Sequence, residues 1–225
     1  MATGTVNSNG IPLHKRSGPG TNFDIVGQVA DGTTVTINCQ TTGTPEDGPF
    51  GRSTLWDRLA DNSYVSDAYI LTGTNNMVAP HCAGTGGTLQ QRLDHFVGDW
   101  NEEFLNFDDN VPNQCVSVAQ AWAKMYLGLS DFTVASAVQI INQAGSDFTR
   151  IDYAPGAVPP PGAIVVWHEC PAWSITSAGH VDVCISGDAN GFVGFDQNWG
   201  DDKHCRRVNH DFQGVSGWLI PNRVG

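Results

Sequence analysis

One cysteine stands where a loop turns into a helix, a position that suits a nucleophile. Apolar residues recur at helical spacing and predict a helix from about residue 114 to 127, ended by Gly128; they are Val116, Ala119, Trp122, Ala123 and Tyr126. Cys115 then lies in the first turn, where unpaired backbone N–H groups and the positive end of the helix dipole favour a thiolate. Most free cysteines are instead small buried side chains. The chemistry therefore depends on a base near Cys115.

A predicted β-hairpin supplies that base. Two alternating segments, 180–185 and 193–199, flank the turn Gly187-Asp188-Ala189-Asn190-Gly191, and a hairpin centred near Ala189 pairs residues whose numbers sum to about 378. The odd-numbered positions form one apolar face, so the other face carries His180, Asp182, Asp196 and Asn198. In this register His180 lies opposite Asn198, and Asp182 lies opposite Asp196.

These residues predict a cysteine hydrolase that acts on an amide. His180 would be the base that activates Cys115, and later the acid toward the leaving amine. Asn198, directly across the hairpin, is the favoured residue to fix the His180 tautomer, and Asp196 is the alternative. The backbone amide of Cys115 and the side chain of Gln114 would form the oxyanion hole.

Four motifs occur in order in the second part of the chain. They are Asn113-Gln114-Cys115-Val116, Pro160-Pro161-Gly162-Ala163-Ile164-Val165-Val166-Trp167, Gly179-His180-Val181 and Asp196-Gln197-Asn198-Trp199. Through them, residues 91–225 resemble a cysteine, histidine-dependent amidohydrolase/peptidase (CHAP) domain. The resemblance implies an α+β, papain-like fold with N-terminal helices and an antiparallel sheet. It also implies attack on a peptidoglycan amide, with Cys115, His180, Asp196 and Asn198 as the site.

The sequence departs from the CHAP pattern at three positions. Ser117 and Ala163 stand where acids are common, and Asp196 stands where a glutamate is commoner. The run Asp108-Asp109-Asn110 is similar to a calcium-binding loop of some members, but Pro112 and Ser117 occupy other expected ligand positions, so we predict no cofactor and keep calcium as the alternative. The lost acids also keep open a catalytically inactive two-module wall-binding protein.

The first third of the chain reads as short strands broken by turns, including a Gly/Pro-rich loop from residue 42 to 51, which predicts a small all-β barrel. Residues 13–27, with the turn Arg16-Ser17-Gly18-Pro19-Gly20, and the later segments 32–35, 56–59 and 64–69 resemble a bacterial SH3-like domain. That resemblance implies wall targeting, through peptide binding or as a spacer. Trp56, Tyr64 and Tyr69 would either line a groove or pack in the core.

Composition places a linker between these two parts. Residues 73–88 are rich in Gly, Thr and Asn without hydrophobic period, so we predict a wall-binding domain at 1–74, a linker at 75–90 and a catalytic domain at 91–225. A helix should open the second domain, on the pattern Leu89, Leu93, Phe96, Val97, Trp100 and Phe104. A further helix is predicted from 134 to 144 and a buried strand from 163 to 167.

Composition also limits the partners. The 225 residues carry a net charge of −12, which argues against a nucleic-acid partner. Neither an apolar run of about 18 residues nor a signal peptide is apparent, so we expect no membrane partner. The expected partner is bacterial peptidoglycan. A phage endolysin, made in the host cytoplasm and then released to the wall, and a secreted bacterial wall-remodelling hydrolase both fit; the bond that is cut and the oligomeric state stay open.

Six cysteines leave the redox state open. If Cys115 is a free nucleophile, five remain, so at least one more thiol is free; a Cys170–Cys205 disulfide is one candidate and zinc a weaker one. The histidines other than His180 belong to no constellation and are expected at the surface or its boundary, although His204 and His210 could reach the cleft; they are His14, His81, His95, His168, His204 and His210.

Overall fold

The computed structural model describes residues 2–75, 77–82, 87–105, 114–129, 132 and 134–222. The chain divides into two compact units, Met1–Thr85 and Gly86–Gly225. The first unit contains strands β1 (Ala2–Val6), β2 (Leu13–Arg16), β3 (Ile25–Val29), β4 (Thr34–Gly48), β5 (Gly51–Leu59), β6 (Tyr64–Ser66) and β7 (Ile70–Leu71), with a 3-10 turn at Asp67–Tyr69. The second contains helices α1 (Leu89–Trp100) and α2 (Cys115–Ala121), a π-helical turn (Trp122–Tyr126), 3-10 turns at Ala137–Asn142 and Pro171–Trp173, and strands β8 (Phe148–Asp152), β9 (Ile164–Trp167), β10 (His180–Asp188), β11 (Gly191–Asp196), β12 (Arg206–His210) and β13 (Val215–Pro221).

The first unit is an antiparallel sheet with strand order β3-β2-β6-β5-β4-β1-β7. Its long hairpin β4–β5 includes the stretch that the sequence predicts as a loop, residues 42–51, because a register shift between Thr42 and Glu46 absorbs the intervening residues without ending the pairing. That loop prediction is wrong. Trp56 is buried and donates its indole N–H to the Thr44 carbonyl at 2.9 Å, so it belongs to the core.

Residues 77–82, predicted as linker, are held against β4. The side-chain oxygen of Gln40 accepts the backbone N–H groups of Val78 and Ala79 at 2.6 and 2.9 Å. A disulfide joins Cys39 to Cys82. The linker prediction is therefore wrong for this segment, because its partners lie some forty residues earlier in the chain and local composition does not reveal them.

The Cys170–Cys205 disulfide, one of the candidates that the sequence left open, does not form. Both residues are buried free thiols, like Cys115 and Cys184. Cys205 donates to the side-chain oxygen of Gln197 at 2.9 Å, and Cys170 packs in the core beside Trp167 and Trp218. Burial raises the pKa of the Cys205 and Cys184 thiols, so both remain protonated.

The second unit combines helices with a six-stranded antiparallel sheet of order β12-β11-β10-β9-β13-β8. Strand β9 lies near the centre and is fully buried, as its apolar run predicts. Helix α1 begins with a capping box formed by Thr88 and Gln91, two residues before the predicted domain start. Its Phe96 ring packs against Trp122 at 5.4 Å and Phe195 at 5.2 Å.

Two predicted helices have the expected positions but different forms. The helix expected over 114–127 is present as α2 followed by the π-helical turn, and Gly128 ends it with a φ of +68°. The one expected over 134–144 is a shorter 3-10 helix, Ala137–Asn142. None of the helices in the described part of the chain is long and apolar enough to cross a membrane.

Candidate active site

Cys115 and His180 meet in one cleft. Cys115 is the first residue of α2 and His180 is the first residue of β10, and these two elements pack together. Their side chains lie close enough for Cys115 to raise the pKa of His180. Both are nearly buried, at 7 % and 5 % exposure, yet both line a cavity of about 430 Å³. A substrate that enters this cavity would therefore reach the sulfur and the imidazole together.

Asp196 holds the other side of the imidazole. Its Oδ1 lies 2.7 Å from His180 Nε2, and its side chain is fully buried. Because Nε2 faces Asp196, Nδ1 is the ring nitrogen left for a proton exchange with Cys115. Burial favours a neutral imidazole, but electrostatic and hydrogen-bond interactions with Asp196, and after it with Cys115, outweigh burial and raise the pKa of His180 well above its ordinary value.

The expectation that Asn198 fixes the His180 tautomer is wrong. The predicted pairing sum holds near the site, with Val183 opposite Phe195 and Cys184 opposite Gly194, but β11 ends at Asp196. Asn198 has a left-handed backbone, with φ of +65°, so the chain leaves the strand before it can face His180. His180 instead reaches Asp196, its diagonal neighbour across the hairpin.

Asn198 belongs to the cleft through a different partner. Its side-chain nitrogen donates to Gln114 Oε1 at 3.3 Å, and its oxygen accepts from Lys203. Both Gln114 and Asn198 line the cavity beside Cys115. The structure therefore places four of the five predicted site residues, Gln114, Cys115, His180 and Asn198, at one cleft, with Asp196 buried behind His180. Asn198 contacts Gln114 rather than His180.

Two ionisable residues behind His180 were not predicted as part of the site. His210, on β12, is buried, contrary to the surface or boundary position expected for it. Its Nε2 lies 3.2 Å from Asp196 Oδ2 and 3.3 Å from Asp182 Oδ2. Neither contact has hydrogen-bond geometry, so the attraction is one of charge. The shared face of His180, Asp182 and Asp196 was predicted, whereas β12 showed no pattern that would add His210.

The four buried groups differ in their tendency to ionise. Burial opposes ionisation of Asp196, but the charge and hydrogen bond of His180, followed by the charge of His210, keep its pKa below the ordinary value. Burial raises the pKa of Asp182 to about 6, against the contact with His210. For His210, burial is outweighed by the two carboxylates, and the pKa rises to about 9. At neutral pH the cluster thus holds His210 protonated between two carboxylates.

Gln197 is a further residue whose role the sequence did not reveal. It is fully buried, and its side chain exchanges two hydrogen bonds with the backbone of Leu105, at 2.7 and 2.8 Å. The same amide nitrogen lies 3.3 Å from the Gln114 carbonyl. Gln197 therefore holds the residue before Cys115 against the end of β11. Its place in the fourth motif was visible, but its partners lie 83 and 92 residues away.

A metal ion is not needed to explain the buried cluster. One donor atom from each of Asp182, Asp196 and His210 falls within 4.8 Å of the others, a spacing that could surround a cation. A protonated His210 at that position already offsets part of the negative charge of both carboxylates. The run Asp108-Asp109-Asn110, which the sequence left as an alternative calcium loop, lies outside the described residues, as does Pro112.

Comparison with known proteins gives a family for part of the chain. The uncharacterized protein YraI of Bacillus subtilis (strain 168) is 39% identical over 84 residues, which is 34% of this chain and 71% of that protein. The uncharacterized protein YraJ of the same strain is 36% identical over 83 residues, 33% of this chain and 70% of that protein. The chain belongs to the family of these two proteins. No protein-family model matches it.

Solved structures add a likeness in fold. The crystal structure of the wild-type endolysin LysIME-EF1 covers 60% of this chain with a TM-score of 0.52 and 19% identity, and the chain spans 65% of that protein's length. The crystal structure of Ly7917 covers the same share with a TM-score of 0.45 and 17% identity. The likeness to LysIME-EF1 shows a shared fold of mixed helices and antiparallel sheet.

Proposed function

We propose that the chain is a peptidoglycan hydrolase that cleaves an amide bond of the bacterial cell wall with Cys115 as nucleophile. The observation that carries the proposal is the Cys115–His180–Asp196 arrangement at the wall of an open cleft. A nucleophile in contact with a base, and a base oriented by a buried carboxylate, is the geometry of covalent acyl transfer. The fold shared with the endolysin LysIME-EF1 points to peptidoglycan as the source of the amide.

The reaction would proceed in two steps. The Cys115 thiol gives its proton to His180 and its sulfur attacks the amide carbon; the C–N bond then breaks, the departing amine takes that proton from His180, and a thioester remains on Cys115. His180 then accepts a proton from water, whose oxygen attacks the thioester and releases the acid. Asp196 stays ionised throughout and stabilises the charged imidazole.

Gln114 and the Cys115 amide would stabilise the oxyanion. Asn198 engages the oxygen of the Gln114 side chain, so the nitrogen is the end that can donate to a developing negative charge. Holding a donor in place before the reaction is what makes such a group effective, and removal of one donor typically costs about 10²–10³ in kcat.

We assign wall attachment to residues 1–74, on their resemblance to a bacterial SH3-like domain. The Cys39–Cys82 disulfide lies in the same unit. Disulfides persist in oxidising surroundings, which supports a place of action at the cell wall rather than in the cytoplasm. This holds for a released phage endolysin and for a secreted bacterial hydrolase alike.

Digestion of purified peptidoglycan by the full chain, read by mass spectrometry, tests the proposal. We expect new amino groups without new reducing sugar ends, and we expect Cys115→Ala to abolish them while wall binding persists. Cys170→Ala is the matched control, because Cys170 is another buried free thiol and belongs to a core cluster that does not include His180. Reducing ends in place of amines, or an active Cys115→Ala variant, would refute the proposal; wall binding without any cleavage would favour the inactive wall-binding protein.

A further inference from the structure

A chain of buried ionisable groups continues behind the Cys115–His180 pair. Asp196 uses both carboxylate oxygens, Oδ1 toward His180 at 2.7 Å and Oδ2 toward His210 at 3.2 Å. His210 in turn lies 3.3 Å from Asp182. We propose that His210 and Asp182 form a positioning pair that fixes the Asp196 carboxylate and sets how strongly it attracts the proton of His180. This inference rests on the proposed function, in which His180 is the base.

The surroundings of His210 hold it in this place. Its ring lies 5.0 Å from the ring of Trp167 and 4.5 Å from that of Trp199, both in edge-to-face contact. The same two tryptophans contact the His180 ring, at 5.6 and 4.9 Å. The two imidazoles are therefore held by one aromatic frame, with Asp196 between them, and a shift of His210 would be felt at His180.

The strand opposite leaves room for Asp182. Gly194 lies on β11 beside Asp182, and a Cβ at this position would overlap Asp182 Oδ2 and come within 3.1 Å of the His210 ring. A side chain at residue 194 would thus displace the carboxylate that holds His210. The glycine is explained by this close approach, since its backbone conformation does not require one.

The charges in the cluster give the pair its effect. The ionisable groups that face His210 are Asp182 from β10 and Asp196 from β11, and His180 lies beyond Asp196. A positively charged His210 interacts with the Asp196 carboxylate and so reduces the stabilisation that this carboxylate gives to protonated His180. The Asp182 carboxylate offsets the charge of His210 and increases that stabilisation. Removing one member or the other should therefore move the titration of His180 in opposite directions.

The test is the titration of His180 in the full chain labelled with 15N-histidine, followed by NMR and assigned with His180→Ala. Asp182→Asn should lower the His180 midpoint and His210→Gln should raise it, each by about half to one pH unit. In each variant, the alkaline limb of the pH profile of kcat/KM on soluble wall fragments should move in the same direction as the His180 midpoint, while KM is unchanged. A purely structural role would reduce the folded fraction without opposite shifts.

Unchanged midpoints, or shifts of the same sign, would overturn the proposal. So would a stoichiometric metal ion in the purified protein whose removal by chelator changes the His210 signals, because His210 would then be a ligand. If His210→Gln does not fold, Asp182→Asn decides alone, and an unshifted midpoint refutes the pair. The titration needs no substrate, so a chain that fails to cleave peptidoglycan would refute the proposed function and leave this test intact.

Discussion

Both units bury two carboxyl groups around one bridging side chain, and the two bridges differ in whether they can carry charge. In the first unit the bridge is the amide of Gln40, whose nitrogen lies 2.6 Å from Asp57 Oδ1 and 3.3 Å from Asp67 Oδ1. In the second unit the bridge is the imidazole of His210, at 3.2 and 3.3 Å from the two carboxylates. An amide donates without ever becoming positive.

The two bridges have different effects on the pKa values of the carboxyl groups that they join. Burial raises the pKa of Asp57 to about 7 and that of Asp67 to about 9, because the neutral bridge does not offset the loss of solvent. In the second unit the pKa of Asp196 is lowered in spite of complete burial. With a neutral bridge, both buried acids of the first unit hold their protons more tightly than in water, whereas His180, and after it the charged bridge His210, keep the buried Asp196 carboxylate ionised.

The strongest challenge to the charged site is Asp196→Asn. This change keeps the shape but removes the charge that stabilises protonated His180, so we expect kcat on soluble wall fragments to fall by about 10³–10⁴. Steady-state kinetics give the measurement, with the exposed Asp201→Asn as control. Near-normal kcat for Asp196→Asn would show that the buried carboxylate does not serve His180.

The neutral bridge is challenged by Gln40→Leu. Leucine keeps the volume but leaves the Val78 and Ala79 N–H groups without their acceptor, and each such group costs about 1–3 kcal/mol. Hydrogen exchange of the full chain should show faster exchange in peptides from 77–82 and from β4, with kcat on soluble fragments unchanged. Protection equal to wild type would mean that the disulfide and the backbone hydrogen bonds of residue 40 to Pro80 and Cys82 hold this segment without the Gln40 side chain.

Asn198→Ala should have a smaller effect than Asp196→Asn. It removes the bond that holds Gln114, so kcat should fall by about 10–100-fold without displacement of the alkaline limb. The pH profile of kcat/KM is the measurement. If the alkaline limb moves as far as it does in Asp196→Asn, Asn198 acts on His180 as the sequence first suggested.

The smallest expected effect is a pH dependence of the first unit. Asp57 and Asp67 have folded pKa values above those of about 3.9 in an unfolded chain, so the folded unit binds more protons at intermediate pH. Their contribution to stability is present below pH about 4 and is lost as pH rises through about 7 and 9. Hydrogen exchange in β4 and β5 should speed up toward pH 9 beyond the intrinsic rate, and Asp67→Asn should flatten that trend. A flat wild-type trend would contradict the buried acids.

The part of the site that the sequence predicted comes from local periodicity. The helix that carries Cys115 and the hairpin that carries His180 and Asp196 both follow from the spacing of apolar residues, and the pairing sum near Val183 is as predicted. The error at Asn198 arose because the sequence does not show where β11 ends. A left-handed residue two positions after the strand was enough to exchange the partner of His180.

The contacts that were missed join residues far apart in the chain. His210 meets Asp182 across 28 positions, Gln197 meets Leu105 across 92, and Cys39 meets Cys82 across 43. Each such contact depends on how strands and loops are brought together, which local pattern does not encode. In the first unit, the role of Gln40 was not predicted for the same reason. Gln40 lies in a polar stretch of β4, and that stretch does not indicate that its side chain is completely buried.

The covalent intermediate offers the most direct test of the central claim, that Cys115 carries the acyl group of a cleaved peptidoglycan amide. The full chain would be mixed with soluble wall fragments, quenched in acid within the first turnovers and mapped by mass spectrometry. We predict a thioester adduct on the peptide that contains Cys115, absent in Cys115→Ala and retained in Cys170→Ala. Continued amide cleavage by Cys115→Ala, or an adduct on another residue, would contradict the account.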